Sequence, residues 1–288
     1  MVALENVDNL LADAPFGIEP QTPTIGAFIT GLDLSEEQPQ KVIEALRAAL
    51  VQWKVIFFRD QPLSEEQHIQ FAARFGELEI HPLTPLDQPN PQILRITHDE
   101  KSKGSENAWH SDVTWRPTPS LGSILRAVEV PAIGGDTLWA DMEAAYDDLP
   151  DFVKEKVTGA EAEHNFLRAF GHRIPEEDHA KTAEKHPAQY HPVIRTHPES
   201  GRKSIYVNAG FVDRIMDMEK EESDLMLQLL QQTANRPEYQ VRLKWEPGTI
   251  AFWDNRSSQH YAVSDYFPHR RVMERVTVCG DKPYYKAD

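Results

Sequence analysis

Ala108-Trp109-His110-Ser111-Asp112-Val113-Thr114-Trp115 is the stretch on which the reading of this chain turns. It is rich in aromatic and β-branched residues, the composition of a strand or strand end. In an extended segment, residues i and i+2 project to the same face. His110 and Asp112 are therefore expected to reach one point, with Ser111 turned away. A second histidine, His260, lies far downstream on the rim of a strand-like, Arg-rich segment. Two imidazoles and one carboxylate leave positions open on an octahedral metal, which is the ligand set of non-haem Fe(II) oxygenases. An H-x-D triplet also arises by chance as a surface histidine beside an acid, so the rest of the chain has to carry the reading.

The chain has 288 residues, enough for one large domain or two small ones with an ample core. Apolar residues at 40% and charged residues at 26% suit a globular protein. One cysteine, Cys279, rules out an intrachain disulfide and a thiolate metal cluster. It sits in the apolar run Val276-Thr277-Val278-Cys279 and is expected to be a small core residue. Met1 to Pro15 has neither the basic nor the apolar region of a secretory signal, and no stretch has the ~18 apolar residues of a membrane span. The expectation is a cytoplasmic protein. A net charge of −16 repels phosphate backbones and speaks against nucleic acid as a partner. Arg256, Arg270, Arg271 and Arg275 nevertheless cluster near the C-terminus and suggest a pocket for a small anion, with Arg256 and Arg270 read as surface residues.

Outward from the opening stretch, periodicity and punctuation predict the remaining elements. Residues 25–31 read as a short strand with glycine bends. Ser35 is placed as the N-cap of a helix over 36–52, with Val42, Leu46, Ala49 and Leu50 on one face. Residues 54–59 form a buried strand, and Ser64-Glu65-Glu66-Gln67 is a capping box opening a helix to Phe75. Strands follow over 93–97 and 123–128, then the pair Gly134-Gly135, then helices over 142–149 and to about 158. Residues 161–190 are polar, rich in histidine and unpatterned, and read as a lid-like insertion. A hairpin joins 193–196 to 203–207. A helix over 219–234 is expected to turn Leu225, Leu229 and Leu230 inward, and strands follow over 239–245, 249–253 and 271–278. This order predicts an α+β fold, an antiparallel double-stranded β-helix (jelly roll) with flanking helices. Residues 1–20 are expected as a loose arm and 21–288 as a single domain.

Trp109 to Trp115, Gly134 to Ala140, Trp253 to Ala262 and Arg270 to Arg275 closely resemble motifs of the taurine dioxygenase family, in order and in register. The resemblance runs from about Ile25 to Tyr285. It implies a jelly roll that uses Fe(II), 2-oxoglutarate and O2. Carried over residue by residue, it implies that His110, Asp112 and His260 hold the iron, and that Arg271 and Thr137 hold the distal carboxylate of 2-oxoglutarate. A planar guanidinium suits that task, since it binds a carboxylate through two parallel charge-assisted hydrogen bonds.

For the substrate, His81 and Arg275 match residues that grip a sulfonate, and Phe170 is similar to an aromatic pocket wall. Val113 and Trp115 are counted with the substrate contacts. Thr84 stands where the family has a tyrosine and Glu106 where it has an asparagine, which puts taurine itself in doubt. The resemblance implies hydroxylation of the carbon beside the heteroatom of a small anion. A sulfonate comes first, giving sulfite and an aldehyde; alternatives are a sulfate ester and an aryloxyalkanoate or other carboxylate. A metal-binding jelly roll without turnover is the non-enzymatic alternative. Relatives of this type imply a homo-oligomer, dimer or tetramer. His68, His98, His164, His172, His179, His186, His191, His197 and His269 are read as surface or loop histidines.

Overall fold

The computed structural model describes residues 7–81, 84, 87–104 and 107–287. Helix α1 (Val7–Ala12) and strand β1 (Gly17–Pro20) lead into β2 (Ala27–Thr30), α2 (Gln40–Trp53), β3 (Val55–Phe58), α3 (Glu65–Ala73) and β4 (Leu94–His98). The middle of the chain forms β5 (Ser120–Glu129), β6 (Thr137–Asp141), α4 (Met142–Asp147), α5 (Asp151–Val157), β7 (Glu161–His164), α6 (Phe166–Phe170) and α7 (His179–Lys185). Then come β8 (Gln189–Pro192), β9 (Ile194–Thr196), β10 (Lys203–Ile205), β11 (Val212–Ile215) and α8 (Lys220–Gln232). The last strands are β12 (Gln240–Leu243), β13 (Ile250–Asp254), β14 (Ser258–Ala262) and β15 (Arg271–Cys279).

Seven strands form one sheet in the order β1-β2-β3-β13-β5-β15-β4, antiparallel except where β2 meets β3. A second sheet runs β12-β6-β14, a third β11-β7-β8, and β9 pairs with β10 as a hairpin. Residue alternation shows why the central strands read as continuous apolar runs. On β3, Ile56 and Phe58 join one core cluster while Val55 and Phe57 join another; on β13, Ile250 and Phe252 part from Ala251 and Trp253 in the same way. A strand buried on both faces needs apolar residues at every position. On the outer face, α2 and α3 bring Val42, Ile43, Leu46, Leu50 and Phe71 against the large sheet, joined by Phe75 just after α3. On the inner face, Phe57, Trp253 and Met273 meet Trp139, Val241 and Trp245 of the second-sheet side. Truncating a ring buried as fully as Trp139 costs about 3–5 kcal/mol. Beyond the second sheet, Ala140 joins a cluster with residues of α4, α5 and α8. The architecture is thus α+β, with helices flanking packed, largely antiparallel sheets.

Several expectations are corrected. The opening stretch is not a strand: His110 makes a single bridge to His260, after which the chain turns through Val113 at φ 49°. Helix α2 starts at Gln40, with Pro39 as its N-cap, because the residue before a proline is driven out of the helical region. On α8 the buried stripe is Ser223, Leu227 and Leu230; Leu225 and Leu229 face outward. Cys279 ends β15 and is exposed. Arg256 is fully buried, and His68, His98, His164, His191 and His197 are buried as well. Within the stretch expected as a loose arm, β1 pairs with β2, and Leu11, Phe16 and Ile18 pack against the core. The capping box is present, with Ser64 and Gln67 bonded reciprocally. Among the described residues, no helix is long and apolar enough to cross a membrane.

Candidate active site

The bridge between His110 and His260 sets the site. Each backbone N–H donates to the other's carbonyl, at 3.1 and 2.8 Å, which lays the two rings side by side with centroids 4.1 Å apart. The turn after His110 then swings Asp112 beneath them. Nε2 of His110 lies 4.0 Å, and Nε2 of His260 3.9 Å, from Oδ1 of Asp112. These separations are too long for hydrogen bonds, yet one ion with bonds of ~2.0–2.2 Å can bridge each pair. The donor atoms of all three residues lie within 4.8 Å of one another, and no other such triad occurs among the described residues.

Protonation suits the same task. Nδ1 of His110 sits 2.8 Å from the Ala108 carbonyl, which can only accept, so the proton is on Nδ1 and Nε2 presents its lone pair. Burial, then the neighbouring His110, pushes His260 down to about 3, which keeps it neutral. Burial alone would raise Asp112, but Arg275 beside it and the Ser123 hydroxyl hold it well below the usual carboxylate range. Two imidazole nitrogens and one carboxylate oxygen are the donor set that a divalent metal of the iron type accepts. The residues present therefore fit such an ion.

A cavity of about 450 Å³ opens over His110 and Asp112 of this triad. It brings together His81, His110, Asp112, Val113, Phe170 and Arg275 from the sequence reading. Leu94, Ile96 and Phe211 complete its apolar walls, and Asp112 is the one carboxylate among its described lining residues. Arg275 donates from Nη1 to Asp112 Oδ1 at 2.7 Å. His81 is pushed down to about 4 by burial and then by Arg275, so it meets the cavity as a neutral ring. Thr84 and Trp115 do not line this cavity. Thr84 is buried, with its N–H bonded to the His81 carbonyl at 2.9 Å, and Trp115 packs edge-on against Phe166 and His186. Glu106 lies outside the described residues.

Thr137 opens β6 and Arg271 opens β15, both buried. The Trp245 indole donates to Thr137 Oγ1 at 2.9 Å, which leaves the hydroxyl proton free to point elsewhere. The Arg271 guanidinium lies 5.7 Å over the Tyr266 ring. A Cβ on Gly135 would meet Arg271 Cδ and Nε at 3.3 Å, and its φ of 72° also favours glycine, so the Gly-Gly turn is what lets Arg271 lie there.

Sequence reasoning missed three kinds of residue. The walls Leu94, Ile96 and Phe211 belong to separate elements that only the pairing of β4 with β15 and the folding of the β11 side unite. Asn255 and Ser123 grip Asp112, and Trp245 orients Thr137. Asn255 stands inside a motif already singled out, but a motif does not say which group its amide meets.

Comparison with known proteins agrees with this geometry. Residues 17–277 match the family described as taurine catabolism dioxygenase TauD, TfdA family. An alpha-ketoglutarate-dependent sulfate ester dioxygenase of Pseudomonas putida is 38% identical over 95% of this chain and 94% of its own. A solved taurine dioxygenase from Burkholderia xenovorans superimposes with a TM-score of 0.81 at 35% identity, over 93% of this chain and 90% of that one. The structure of AAD-2 in complex with Mn(II) and N-oxalylglycine gives a TM-score of 0.82 at 29% identity, over 94% and 99%. A match over nearly the whole chain, with a two-histidine, one-aspartate corner at the mouth of a cavity, leads to one conclusion: the chain belongs to the TauD/TfdA family of dioxygenases.

Proposed function

We propose that this enzyme is an Fe(II)- and 2-oxoglutarate-dependent dioxygenase that hydroxylates the carbon next to the heteroatom of a small organosulfur anion carrying an apolar chain. In this reading the chain from β1 onward is a single double-stranded β-helix domain with 161–190 as its lid, acting in the cytoplasm as a homo-oligomer. His110, Asp112 and His260 hold the iron, and Thr137 with Arg271 receives the distal carboxylate of 2-oxoglutarate. When bound, iron, keto-acid and O2 together supply the oxidation of C–H to C–OH, with release of succinate and CO2.

The chain's own residues bind, orient and exclude water. Arg275 offers the charge for the anion, and its planar fork retains N–H groups beyond the one on Asp112. His81, neutral in the cavity, offers a ring N–H donor rather than a second charge. Leu94, Ile96, Phe170 and Phe211 receive the apolar body and keep water from the reacting carbon. A hydroxyl on a carbon bonded to sulfate oxygen or to sulfonate sulfur collapses to an aldehyde with loss of sulfate or sulfite.

The observation that carries the substrate reading is the wall of the cavity. It is largely apolar, and the one carboxylate among its described lining residues, Asp112, belongs to the proposed metal ligands. An ammonium such as taurine's finds no further anionic partner among the described lining residues. An alkyl sulfate ester therefore leads, in keeping with the name of the Pseudomonas relative, and an alkyl sulfonate is second. The test is a panel of alkyl sulfates, alkyl sulfonates, taurine and aryloxy acids, with succinate and released sulfate, sulfite or phenol measured together. Sulfate release tied one-to-one to succinate is expected on alkyl sulfates. Turnover of taurine above the alkyl substrates, or phenol as the leading product, would sink the substrate reading. No succinate on any of them would sink the keto-acid reading.

A further inference from the structure

The two carboxylate oxygens of Asp112 are held differently: Oδ1 accepts from Arg275, while Oδ2 accepts from Ser123 and Asn255, and Asn255 also holds the Asp112 main chain. Asn255 is buried in the turn between β13 and β14, and its backbone N–H bonds to the Leu121 carbonyl at 2.9 Å. Its amide orientation is decided by its neighbours. Oδ1 accepts the Trp253 indole N–H at 3.0 Å and the Asp112 backbone N–H at 3.1 Å, and two donors can only face an oxygen. Nδ2 therefore points the other way. It donates to Ser120 Oγ at 2.9 Å and to Asp112 Oδ2 at 3.3 Å. Ser123 Oγ donates to the same Asp112 Oδ2 at 2.8 Å. Oδ2 is thus taken by two donors, while Oδ1, which also accepts from Arg275 Nη1 at 2.7 Å, is the oxygen that faces both imidazole Nε2 atoms.

We propose that Asn255, seconded by Ser123, is a positioning residue that makes Asp112 a one-oxygen ligand and sets its register against His260. The reasoning is geometric. A carboxylate free to rotate can offer both oxygens to a cation and take two coordination positions. A carboxylate with Oδ2 pinned by two donors offers one, and a neighbouring position stays available for a bound co-substrate. Asn255 also grips the Asp112 main chain from the strand connection that leads, five residues on, to His260. One side chain thereby ties the two halves of the ligand set, which lie 148 residues apart in the chain (260 − 112). The proposal rests on the metal reading above, and the experiment keeps the two apart.

The experiment uses the full chain stripped of metal by a chelator, with Co(II) alone as the probe. Affinity is read by calorimetry and coordination by the visible absorption bands of bound Co(II). His260→Ala is the control that defines the site. Asn255→Asp keeps the size and the acceptor but replaces the donor facing Oδ2 with a second carboxylate oxygen. It is expected to weaken Co(II) binding about 10–100-fold, the range for removing an outer partner of a ligand. It should also shift the Co(II) bands, because the carboxylate is released to bind differently; a merely structural role would lower the unfolding temperature of the metal-free chain and leave those bands alone. Ser123→Ala, which leaves no buried charge, should weaken binding less and shift the bands in the same direction, and it decides the matter if Asn255→Asp does not fold. Wild-type affinity and wild-type bands in Ser123→Ala and in folded Asn255→Asp would overturn the proposal while leaving the metal reading intact. Absence of Co(II) binding by the unmodified chain, or its survival in His260→Ala, would overturn both.

Discussion

Asp112 and Asp254 are both buried aspartates beside a histidine and an arginine, and both are held well below the usual carboxylate range by the cations and hydrogen bonds around them, against the opposing effect of burial. They differ in what their oxygens face. Around Asp254 everything is closed. Oδ1 accepts the Arg256 backbone N–H and Nε, both at 2.8 Å, and Oδ2 accepts Arg256 Nη2 at 2.6 Å and His197 Nε2 at 3.1 Å. His197 Nδ1 takes the N–H groups of Glu199 and Ser200, which puts its proton on Nε2, aimed at the carboxylate. Arg256 continues to Glu199, and Glu199 to Arg47. At Asp112, whose Oδ1 also accepts from Arg275 at 2.7 Å, neutral His110 faces the carboxylate with its Nε2 lone pair instead of a proton. A lone pair and a carboxylate oxygen pointed at one spot repel one another unless a cation stands between them. A depressed carboxylate therefore does not mark a functional site by itself; the tautomer of the facing histidine does.

The largest expected effect tests this contrast directly. Asp112→Ala should remove Fe(II)-dependent succinate formation altogether while lowering the unfolding temperature of the metal-free chain less than Asp254→Ala does, because Arg275 borders the cavity and keeps 12% of its side chain exposed whereas Arg256 is fully enclosed. Retained turnover would take Asp112 out of the ligand set. Asp254→Ala should do the opposite. It strands the Arg256 guanidinium in the interior, and breaking a buried pair from one side costs about 3–5 kcal/mol. Denaturant unfolding would show this as a large fall in midpoint with wild-type Co(II) affinity in the folded fraction. An undiminished midpoint would mean that the closed network is not what holds this turn.

Arg271→Lys comes next. A lysine keeps the charge but loses the planar fork, and a hydrogen bond to a charged group contributes about 1.5–3 kcal/mol. The KM for 2-oxoglutarate should therefore rise roughly 10–100-fold with little change in the KM for the organosulfur substrate. Equal rises in both would place Arg271 in general packing. Arg275→Leu should show the converse at a smaller scale: substrate oxidation falls, while slow decarboxylation of 2-oxoglutarate without substrate persists. Substrate turnover at the wild-type rate would move the anion away from Arg275.

The same contrast explains how much of this molecule is legible in its sequence. Strands β3 and β13 are readable because both faces are buried, so every position is apolar and nothing local competes. The ligand triad is readable because residue type and chemistry carry it. The conformation that joins it is not. Trp109 to Trp115 has strand composition, yet Val113 sits at φ 49°, a backbone region that β-branched residues avoid. There the surrounding structure overrides local preference, as happens where a site has to be aimed. The buried histidines are illegible for a related reason. His68, His164 and His191 are polar letters in polar stretches, and each is buried against a partner distant in sequence: the Ile124 carbonyl, the Thr114 hydroxyl and the Arg116 carbonyl.

Arg256 and Arg270 make the smallest test and the sharpest one. In sequence they are indistinguishable: each stands in a run of polar residues near the C-terminus, and each reads as a surface arginine. In the fold, Arg256 is 1% exposed and clamped between Asp254 and Glu199, whereas the Arg270 side chain is 54% exposed beside Glu129. An exposed pair of that kind is screened by solvent and contributes about 0–1 kcal/mol. Arg270→Ala should therefore shift the unfolding midpoint barely beyond error, and high salt should erase what shift there is. Arg256→Met should cost several-fold more and respond little to salt, since no solvent reaches the pair. A salt-sensitive Arg256 or a costly Arg270 would mean that burial does not separate the two. The contrast drawn from Asp112 and Asp254, that what faces a charge decides its role, would then lose its simplest support.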